Sequence, residues 1–211
     1  MIKLTSQKNK KIGIFGLGKT GLSVFNALEN IADIICYDDN INNRKKFAQQ
    51  YGAKYLVNIN NSAWQNLDKI VISPGVPTSF PYPHKIVNIA RTNSITLSSD
   101  IDLLYEEYPG AKYICITGTN GKSTCCALTH HMLKNIGWQL GGNIGVACLE
   151  LNPPPREGGF VLELSSFQLD ITSKLRLDVA AITNITPDHL DRHGNFENYI
   201  ASKNHIFNLI K

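Results

Sequence analysis

Lys112-Tyr-Ile-Cys-Ile-Thr-Gly-Thr-Asn-Gly-Lys-Ser-Thr124 is the stretch that decides the fold of this 211-residue chain. Its β-branched apolar run, Ile114 to Ile116, predicts a buried strand, and Lys122 opens a helical pattern that continues to about Asn135. A glycine loop between a strand and a helix is typical of a phosphate cradle, in which backbone N–H groups and the helix N-terminus face the anion. The loop is a shortened P-loop, because Ile116 stands where the strict motif has its first glycine. We therefore expect a nucleotide to bind here.

A second glycine loop lies near the N-terminus. Lys11 to Phe15 predicts a short strand, and Gly16-Leu-Gly-Lys-Thr-Gly21 follows it and precedes an amphipathic segment. The next predicted strand ends in Asp38 and Asp39, close to where dinucleotide-binding folds place an acid for ribose hydroxyls. The pattern fits NAD, and it also fits any other diphosphate-bearing ligand on the helix N-terminus. The residues alone leave both ligands open.

Alternating helical and strand patterns continue through the first half of the chain. Ser73-Pro-Gly75 breaks one convincing strand at its C-terminal end, the edge at which open α/β sheets bind ligands. We expect an α/β protein with a Rossmann-like parallel-sheet domain over residues 1–98 and a second domain over residues 99–211. The remaining elements predicted in the first half are helices at Asn43–Gln50, His84–Thr92 and Asp100–Tyr108 and strands at Ile34–Tyr37, Lys54–Val57, Asp68–Ile72 and Ile95–Leu97.

Polar residues of the kinds that bind substrates and metal ions recur beyond the phosphate loop, Gly118–Thr124. Leu140-Gly-Gly-Asn-Ile-Gly145 predicts a glycine-rich turn that holds one amide side chain, Asn143. An apolar strand, Phe160 to Leu162, leads to Glu163, where NTPases place a carboxylate that organises Mg²⁺.

A further strand, Asp178 to Ile182, ends in an acidic loop that carries Asp188, His189 and Asp191. This loop lies on the same predicted sheet edge as the phosphate loop, so we expect His189 to be functional. A helix from Phe196 onward carries Lys203.

Composition excludes several classes of protein. Hydrophobic residues make up 43% of the chain and charged residues 18%, which are globular values. The net charge of +4 comes without a basic run, so we expect no nucleic-acid partner. No stretch approaches membrane-spanning length, and the five cysteines form no Cys-x-x-Cys pair. We expect a monomer with reduced thiols in the cytoplasm and no membrane partner.

The motifs together resemble the Mur ligases, ATP-dependent enzymes that add amino acids to the cell-wall precursor. The resemblance covers the whole chain, and Glu163-Leu-Ser-Ser-Phe-Gln-Leu169 favours the branch that adds D-glutamate to UDP-N-acetylmuramoyl-L-alanine. The segments that carry the resemblance are Gly16–Ser23, Ser73–Gly75, Gly118–Thr124, Gly141–Gly145, Leu162–Leu169 and Asp188–Arg192.

The resemblance implies that the first glycine loop binds UDP rather than NAD. The Rossmann-like domain would hold the UDP part of the nucleotide sugar, and the second domain would contact the rest of that substrate. The residues assigned to it by resemblance are Gly18, Lys19, Thr20, Asp38, Asp39, Ser73, Gly75, Asn143 and His189.

The resemblance also implies acyl activation by ATP and Mg²⁺ in a P-loop ATPase-type central domain. A substrate carboxylate attacks the γ-phosphate, and the amine of D-glutamate displaces phosphate from the resulting acyl phosphate. Four residues would be catalytic: Lys122, Glu163, His189 and Lys203. Metal ligands would be Ser123, Thr124, Glu163 and Lys203, the last as a carbamate. The ATP phosphates would meet Gly118, Thr119, Asn120, Gly121, Lys122, Ser123 and Thr124.

Family members continue through the rest of the central domain into a C-terminal ligase domain, which has no counterpart in these 211 residues. We therefore expect this chain alone to bind ligands without forming the amide bond. Two other hypotheses remain open from the sequence. A non-catalytic nucleotide-binding remnant is one, and an NAD-dependent oxidoreductase is the other, although that reading leaves the second phosphate loop and Glu163 unexplained.

Overall fold

The computed structural model describes all residues from Met1 to Lys211. The chain forms two compact units. We name residues 3–100 the N-terminal unit, and residues 101–211 together with residues 1–2 the C-terminal unit. Each unit contains one four-stranded parallel sheet, which confirms the predicted α/β class.

The N-terminal unit has the strand order β2-β1-β3-β4. Its central strands read as continuous apolar runs because both faces of a parallel sheet are covered, and β3 is buried at every position. Its strands are β1 (Lys11–Phe15), β2 (Asp33–Tyr37), β3 (Lys69–Ile72) and β4 (Thr96–Ser98), and its helices are α1 (Lys19–Leu28), α2 (Ile41–Tyr51) and α3 (Lys85–Thr92). Helix α4 (Asp100–Glu107) follows β4.

The C-terminal unit has the strand order β6-β7-β5-β8. The strand before the phosphate loop, β5, therefore lies centrally, between β7 and β8, and the loop emerges at its carboxyl end. The strands are β5 (Lys112–Thr117), β6 (Gln139–Gly142), β7 (Gly159–Glu163) and β8 (Val179–Ile182), and the helices are α5 (Lys122–Leu133), α6 (Ser166–Leu169), α7 (Leu190–His193) and α8 (Phe196–Asn208).

Two local predictions are wrong. Lys54 to Val57 is not a strand: a 3-10 turn spans Ala53–Tyr55, and only an isolated bridge from Leu56 to Cys36 pairs with β2. The segment from Leu140 was predicted as a glycine-rich turn, yet Gln139–Gly142 forms the edge strand β6 beside β7. In both segments tertiary context overrides the local composition, because pairing with a neighbouring strand decides whether a short segment extends a sheet.

Apolar side chains fill each unit separately. In the N-terminal unit, Phe25 and Phe47 meet edge to face at 4.9 Å between ring centroids, and Trp64 is fully buried. In the C-terminal unit, Tyr113 stacks on Phe160 at 5.3 Å, and both rings are fully buried. All five cysteines are unpaired thiols. No helix is long and apolar enough to cross a lipid bilayer.

Candidate functional site

The N-terminal unit contains a cavity of about 460 Å³ at the carboxyl ends of its strands. Its lining joins the glycine loop after β1 to the turn after β3, as expected for ligand sites in parallel sheets. The predicted residues Gly18, Lys19, Thr20, Asp38, Asp39, Ser73 and Gly75 all line it. The sequence did not single out Phe15 or His84, which also line the cavity and whose rings lie 4.6 Å apart.

Asp38 and Asp39 differ in the contacts that their carboxylates make. Asp38 is 9% exposed, and its oxygens accept hydrogen bonds from the Leu17 amide at 2.6 Å, the Asn40 amide at 2.7 Å and the Asn43 side chain at 3.0 Å. Asp38 thus fixes the glycine loop.

The side chain of Asp39 is 65% exposed and meets one ring nitrogen of His84 at 2.9 Å. The other ring nitrogen of His84 accepts the Ile86 amide at the start of α3, so His84 carries its proton on Nε2 and donates it to Asp39. Asp39, rather than Asp38, is therefore the carboxylate that offers free acceptor positions to a ligand.

The turn after β3 is tied to the glycine loop. The Ser73 hydroxyl donates to the Gly16 carbonyl at 3.1 Å, and the Ser73 amide donates to the Phe15 carbonyl. Helix α1 begins at Lys19 with Gly18 as its N-cap and no capping side chain. Its first amides therefore lack intrahelical acceptors, which is the arrangement that binds anions.

The phosphate loop of the C-terminal unit has the same plan. Helix α5 begins at Lys122 after Gly121, again without a capping side chain. The Lys122 ammonium donates to the Thr119 carbonyl at 2.9 Å and so lies over the loop. The amides of the first turn, Lys122 to Thr124, are the orphan donors of the helix.

Two amides of this loop already have acceptors. The Thr119 amide donates to the main-chain carbonyl of Asn184 at 2.9 Å, and the Asn120 amide donates to the Asn184 side chain at 3.0 Å. The Thr119 and Asn120 amides are therefore occupied, whereas the first-turn amides of α5 lack intrahelical acceptors. Contact of Gly118 to Thr124 with phosphate stays a prediction.

Glu163 connects the loop to the glycine-rich segment after β6. The Glu163 carboxylate is 3% exposed, accepts the Ser123 hydroxyl at 2.6 Å and accepts the Asn143 amide nitrogen at 2.8 Å. The Asn143 main-chain amide also donates to the Glu163 carbonyl at 2.9 Å. A carboxylate beside a hydroxyl at the N-terminus of a phosphate-binding helix fits Mg²⁺, which takes hard oxygen ligands and retains water and phosphate in its remaining positions. No group of three His, Cys, Asp or Glu side chains is placed to hold a metal ion.

Lys203 reaches the loop from α8. Its ammonium donates to the Gly118 carbonyl at 2.8 Å and lies 4.7 Å from the centre of the Tyr199 ring, and the residue is 2% exposed. Burial, together with the neighbouring Lys122 charge and against the opposing effect of Asp188, lowers the pKa of Lys203 from 10.5 to about 8. A substantial part of this amine is therefore neutral near pH 8.

His189 does not contact the phosphate loop. It has a left-handed backbone (φ 50°), a side chain 51% exposed and a ring 5.0 Å from Phe167. The buried neighbour His193, which the sequence gave no reason to select, bonds Ser166 through Nε2 at 3.0 Å. Burial lowers the pKa of His193, and Arg192 contributes, while Asp170 opposes the shift. His193 therefore joins α6 to α7 and supports the segment that carries His189.

Comparisons with known proteins agree with this geometry. The family model described as "Mur ligase MurD-like, N-terminal domain" matches residues 10–95, and that described as "Mur ligase middle domain" matches residues 116–211. The chain is 48% identical to the UDP-N-acetylmuramoylalanine–D-glutamate ligase of Rickettsia bellii over 206 residues, which are 97% of this chain and 44% of the relative. It is 42% identical to the protein of the same name from Wolbachia pipientis over 98% of this chain and 40% of the relative. The chain thus spans less than half the length of these relatives.

Solved structures show the same fold at low identity. A UDP-N-acetylmuramate:L-alanyl-gamma-D-glutamyl-meso-diaminopimelate ligase from Neisseria meningitides superposes with a TM-score of 0.58 at 16% identity, over 96% of this chain and 69% of that one. A murein peptide ligase from Psychrobacter arcticus gives 0.57 at 18%, over 96% and 47%. Two Mur ligase models match successive parts of the sequence, and relatives align with nearly all of it, so this chain belongs to the Mur ligase family.

Proposed function

We propose that this chain supplies the nucleotide-sugar site and the ATP site of an ADP-forming ligase that joins D-glutamate to UDP-N-acetylmuramoyl-L-alanine in peptidoglycan precursor synthesis. The observation that carries the proposal is the cradle around the phosphate loop, where Lys122, Ser123, Glu163 and Lys203 converge. The names of the aligned relatives support the identity of the substrates.

The cradle suits phosphoryl transfer from ATP. The Lys122 ammonium lies at the loop and would offset negative charge on the β- and γ-phosphates, while the amides of Lys122 to Thr124 would donate to their oxygens. Mg²⁺ would neutralise further charge on the transferring phosphoryl group. Ser123 and Glu163 are the residues that would hold it, with Thr124 one position along the helix.

Lys203 has the chemistry that the carbamate hypothesis requires. Carbamate formation needs a neutral amine, and a pKa of about 8 supplies one at physiological pH. The resulting carboxylate would be a further metal ligand beside Glu163.

The cavity of the N-terminal unit would bind the UDP moiety. Helix α1 with Lys19 and Thr20 at its start would face the diphosphate, together with Ser73 and Gly75. Asp39 would accept hydrogen bonds from the nucleoside, and Asp38 would act through the loop that it fixes.

In the C-terminal unit, Asn143 and His189 would contact the acceptor part of the nucleotide sugar. Asn143 is oriented by Glu163, which places an amide beside the metal ligands, and His189 leaves half of its side chain open to a ligand. The substrate carboxylate would then attack the γ-phosphate and displace ADP, and the D-glutamate amine would displace phosphate from the resulting acyl phosphate. We place this activity in the cytoplasm, in a monomer.

Calorimetry on the 211-residue chain tests the proposal. We expect binding of Mg·ATP and of UDP-N-acetylmuramoyl-L-alanine, and no binding of NADH at comparable concentrations. Preference for NADH would support an oxidoreductase instead. We also expect labelled D-glutamate to stay out of the nucleotide-sugar product, because amide formation depends on positioning and water exclusion that this part of the enzyme does not provide alone. Product formation at enzymatic rates would contradict that expectation.

A further inference from the structure

Asn184, which follows β8, forms hydrogen bonds to the phosphate loop. The Asn184 side-chain oxygen accepts the Asn120 amide at 3.0 Å, and its side-chain nitrogen donates to the Asn120 carbonyl at 2.9 Å. One primary amide group thus binds both the donor and the acceptor of one residue. In addition, the main-chain carbonyl of Asn184 accepts the Thr119 amide at 2.9 Å.

Neighbouring side chains reinforce this contact. The Thr183 hydroxyl also donates to the Asn120 carbonyl, at 2.6 Å, and the Thr119 hydroxyl accepts the Thr186 amide at 3.0 Å. The loop and the segment after β8 are therefore joined by paired hydrogen bonds, although neither segment belongs to a strand there.

We propose that Asn184 is a positioning residue, which holds the phosphate loop in its binding conformation before nucleotide arrives and keeps the Thr119 and Asn120 amides from serving as phosphate donors. The inference rests on the proposed function, since it concerns how that site binds nucleotide. Loops that must order on binding bind more weakly, because the ordering entropy opposes association. A loop already held by Asn184 avoids that loss.

The Thr119 and Asn120 amides are unavailable to phosphate because each N–H carries a single hydrogen. A main-chain N–H that donates a well-directed hydrogen bond at 2.9–3.0 Å has no second hydrogen for a phosphate oxygen. For Thr119 and Asn120 to bind phosphate, both contacts with Asn184 would have to break. The first-turn amides of α5 need no such rearrangement.

Asn184→Ala tests the inference, with Asn208→Ala as the matched control. Asn208 is an exposed asparagine at the end of α8 in the same unit, distant in sequence from every loop residue. Amide hydrogen exchange by NMR on the nucleotide-free chain gives a readout that needs no ligand. In the wild type we expect the Asn120 amide to exchange at least about tenfold more slowly than an unstructured peptide.

In Asn184→Ala we expect the Asn120 amide to lose that protection while the Thr119 amide, whose acceptor is a main-chain carbonyl, retains most of its own. Exchange in β5 and α8 should not change, which separates positioning from general destabilisation. An unprotected Asn120 amide in the wild type would overturn the inference without any variant.

Titration with Mg·ADP supplies the second readout. We expect the dissociation constant to rise about tenfold in Asn184→Ala, and not in Asn208→Ala. The largest amide shifts in the wild type should fall on Gly121 to Thr124. An unchanged dissociation constant, or the largest shifts at Thr119 and Asn120, would overturn the inference while leaving the proposed function intact. A wild-type chain that does not bind Mg·ADP would refute the proposed function and this inference together.

Discussion

The two glycine loops share the same strand–loop–helix arrangement, but different contacts hold them in place. Each follows a central strand of a parallel sheet, and each starts a helix whose first residue is a lysine, Lys19 in α1 and Lys122 in α5. The loop of the N-terminal unit is closed on itself. A Cβ atom at Gly21 would lie 1.8 Å from the Gly16 carbonyl oxygen, which shows how closely α1 approaches the loop.

The phosphate loop of the C-terminal unit is open at Gly121, whereas a Cβ atom at Gly118 would lie 2.0 Å from the Thr183 hydroxyl oxygen. A Cβ atom at Gly121 would meet nothing within 4 Å, although the residue has a positive φ of 79°. Its order comes instead from side chains that arrive from α8 and from the segment after β8, chiefly Lys203, Tyr199 and Asn184. The first loop is held by the close backbone approach of α1 together with Asp38 and Ser73, and the second by side chains that follow their partners by 64 residues or more. The comparison therefore predicts different responses to similar mutations.

The largest effect is expected for Gly21→Ala. The added methyl group cannot fit beside the Gly16 carbonyl, so α1 must move, and we expect the N-terminal unit to lose about 3 kcal/mol or more of unfolding free energy. Urea titration followed by fluorine NMR of fluorotryptophan-labelled protein separates the units, because Trp64 reports on the first and Trp138 on the second. Gly18→Ala is the control, since a Cβ there meets nothing within 4 Å. Equal stabilities for the two variants would show that the close approach of Gly21 to the Gly16 carbonyl does not stabilise the first loop.

Lys203, one of the side chains that support the phosphate loop, should make the stability of the C-terminal unit depend on pH. Because the pKa of Lys203 falls to about 8 in the folded chain from 10.5, the unfolded chain binds one more proton between these values. The unfolding free energy therefore increases by up to about 3 kcal/mol as pH rises from 8 to 10.5 and Lys203 loses its proton in the unfolded chain. Below pH 8 the buried charge of Lys203 destabilises the fold to its full extent. In Lys203→Met the Trp138 transition should lose that rise, and a rise of the same size in the variant would contradict the assignment.

The two lysines that open the helices should act on different ligands. Lys122→Ala removes a charge-assisted donor worth about 1.5–3 kcal/mol, so the affinity for Mg·ATP should fall about ten- to hundredfold in calorimetry. Lys19→Ala should weaken the UDP-sugar by a similar factor and leave Mg·ATP binding unchanged. If either variant weakened both ligands equally, the two loops could not be independent sites.

The smallest effect is expected for Gly121→Ala. The residue has room for a methyl group. The expected loss is that of holding alanine in a left-handed backbone conformation, about 1 kcal/mol of unfolding free energy in the C-terminal unit. The Trp138 transition measures it beside the Gly21→Ala result. A loss in Gly121→Ala as large as in Gly21→Ala would show that the phosphate loop is as tightly packed as the first loop.

Local patterns in the sequence were sufficient for the architecture. The β-branched runs and glycine loops predicted the parallel sheets, and β1 was predicted with its observed bounds. Glu163 could be singled out because a carboxylate at the end of an apolar strand after a phosphate loop is a recurring arrangement. These features depend on residues that are close in sequence.

The parts that were missed depend on partners far apart in sequence. No local pattern shows that Asn184 binds Asn120 or that Tyr199 meets the Thr119 hydroxyl at 3.1 Å, because each contact exists only after two elements pack. For the same reason Asp38 and Asp39 looked equivalent, and only the fold separates the residue that fixes the loop from the one that faces the cavity.

The distant support of the phosphate loop has a consequence during synthesis on the ribosome. Asn184, Tyr199 and Lys203 follow their partners in the loop by 64, 80 and 85 residues. At about 5–20 residues per second, the last of them is translated some 4–17 s after Gly118. During that interval the nascent loop has none of these three partners, whereas the first glycine loop has already met Asp38 and Ser73. The first glycine loop, proposed to bind the nucleotide sugar, can therefore make its supporting contacts on the ribosome before α8 is translated. The phosphate loop, proposed to bind ATP, gains its contacts with Tyr199 and Lys203 only after that.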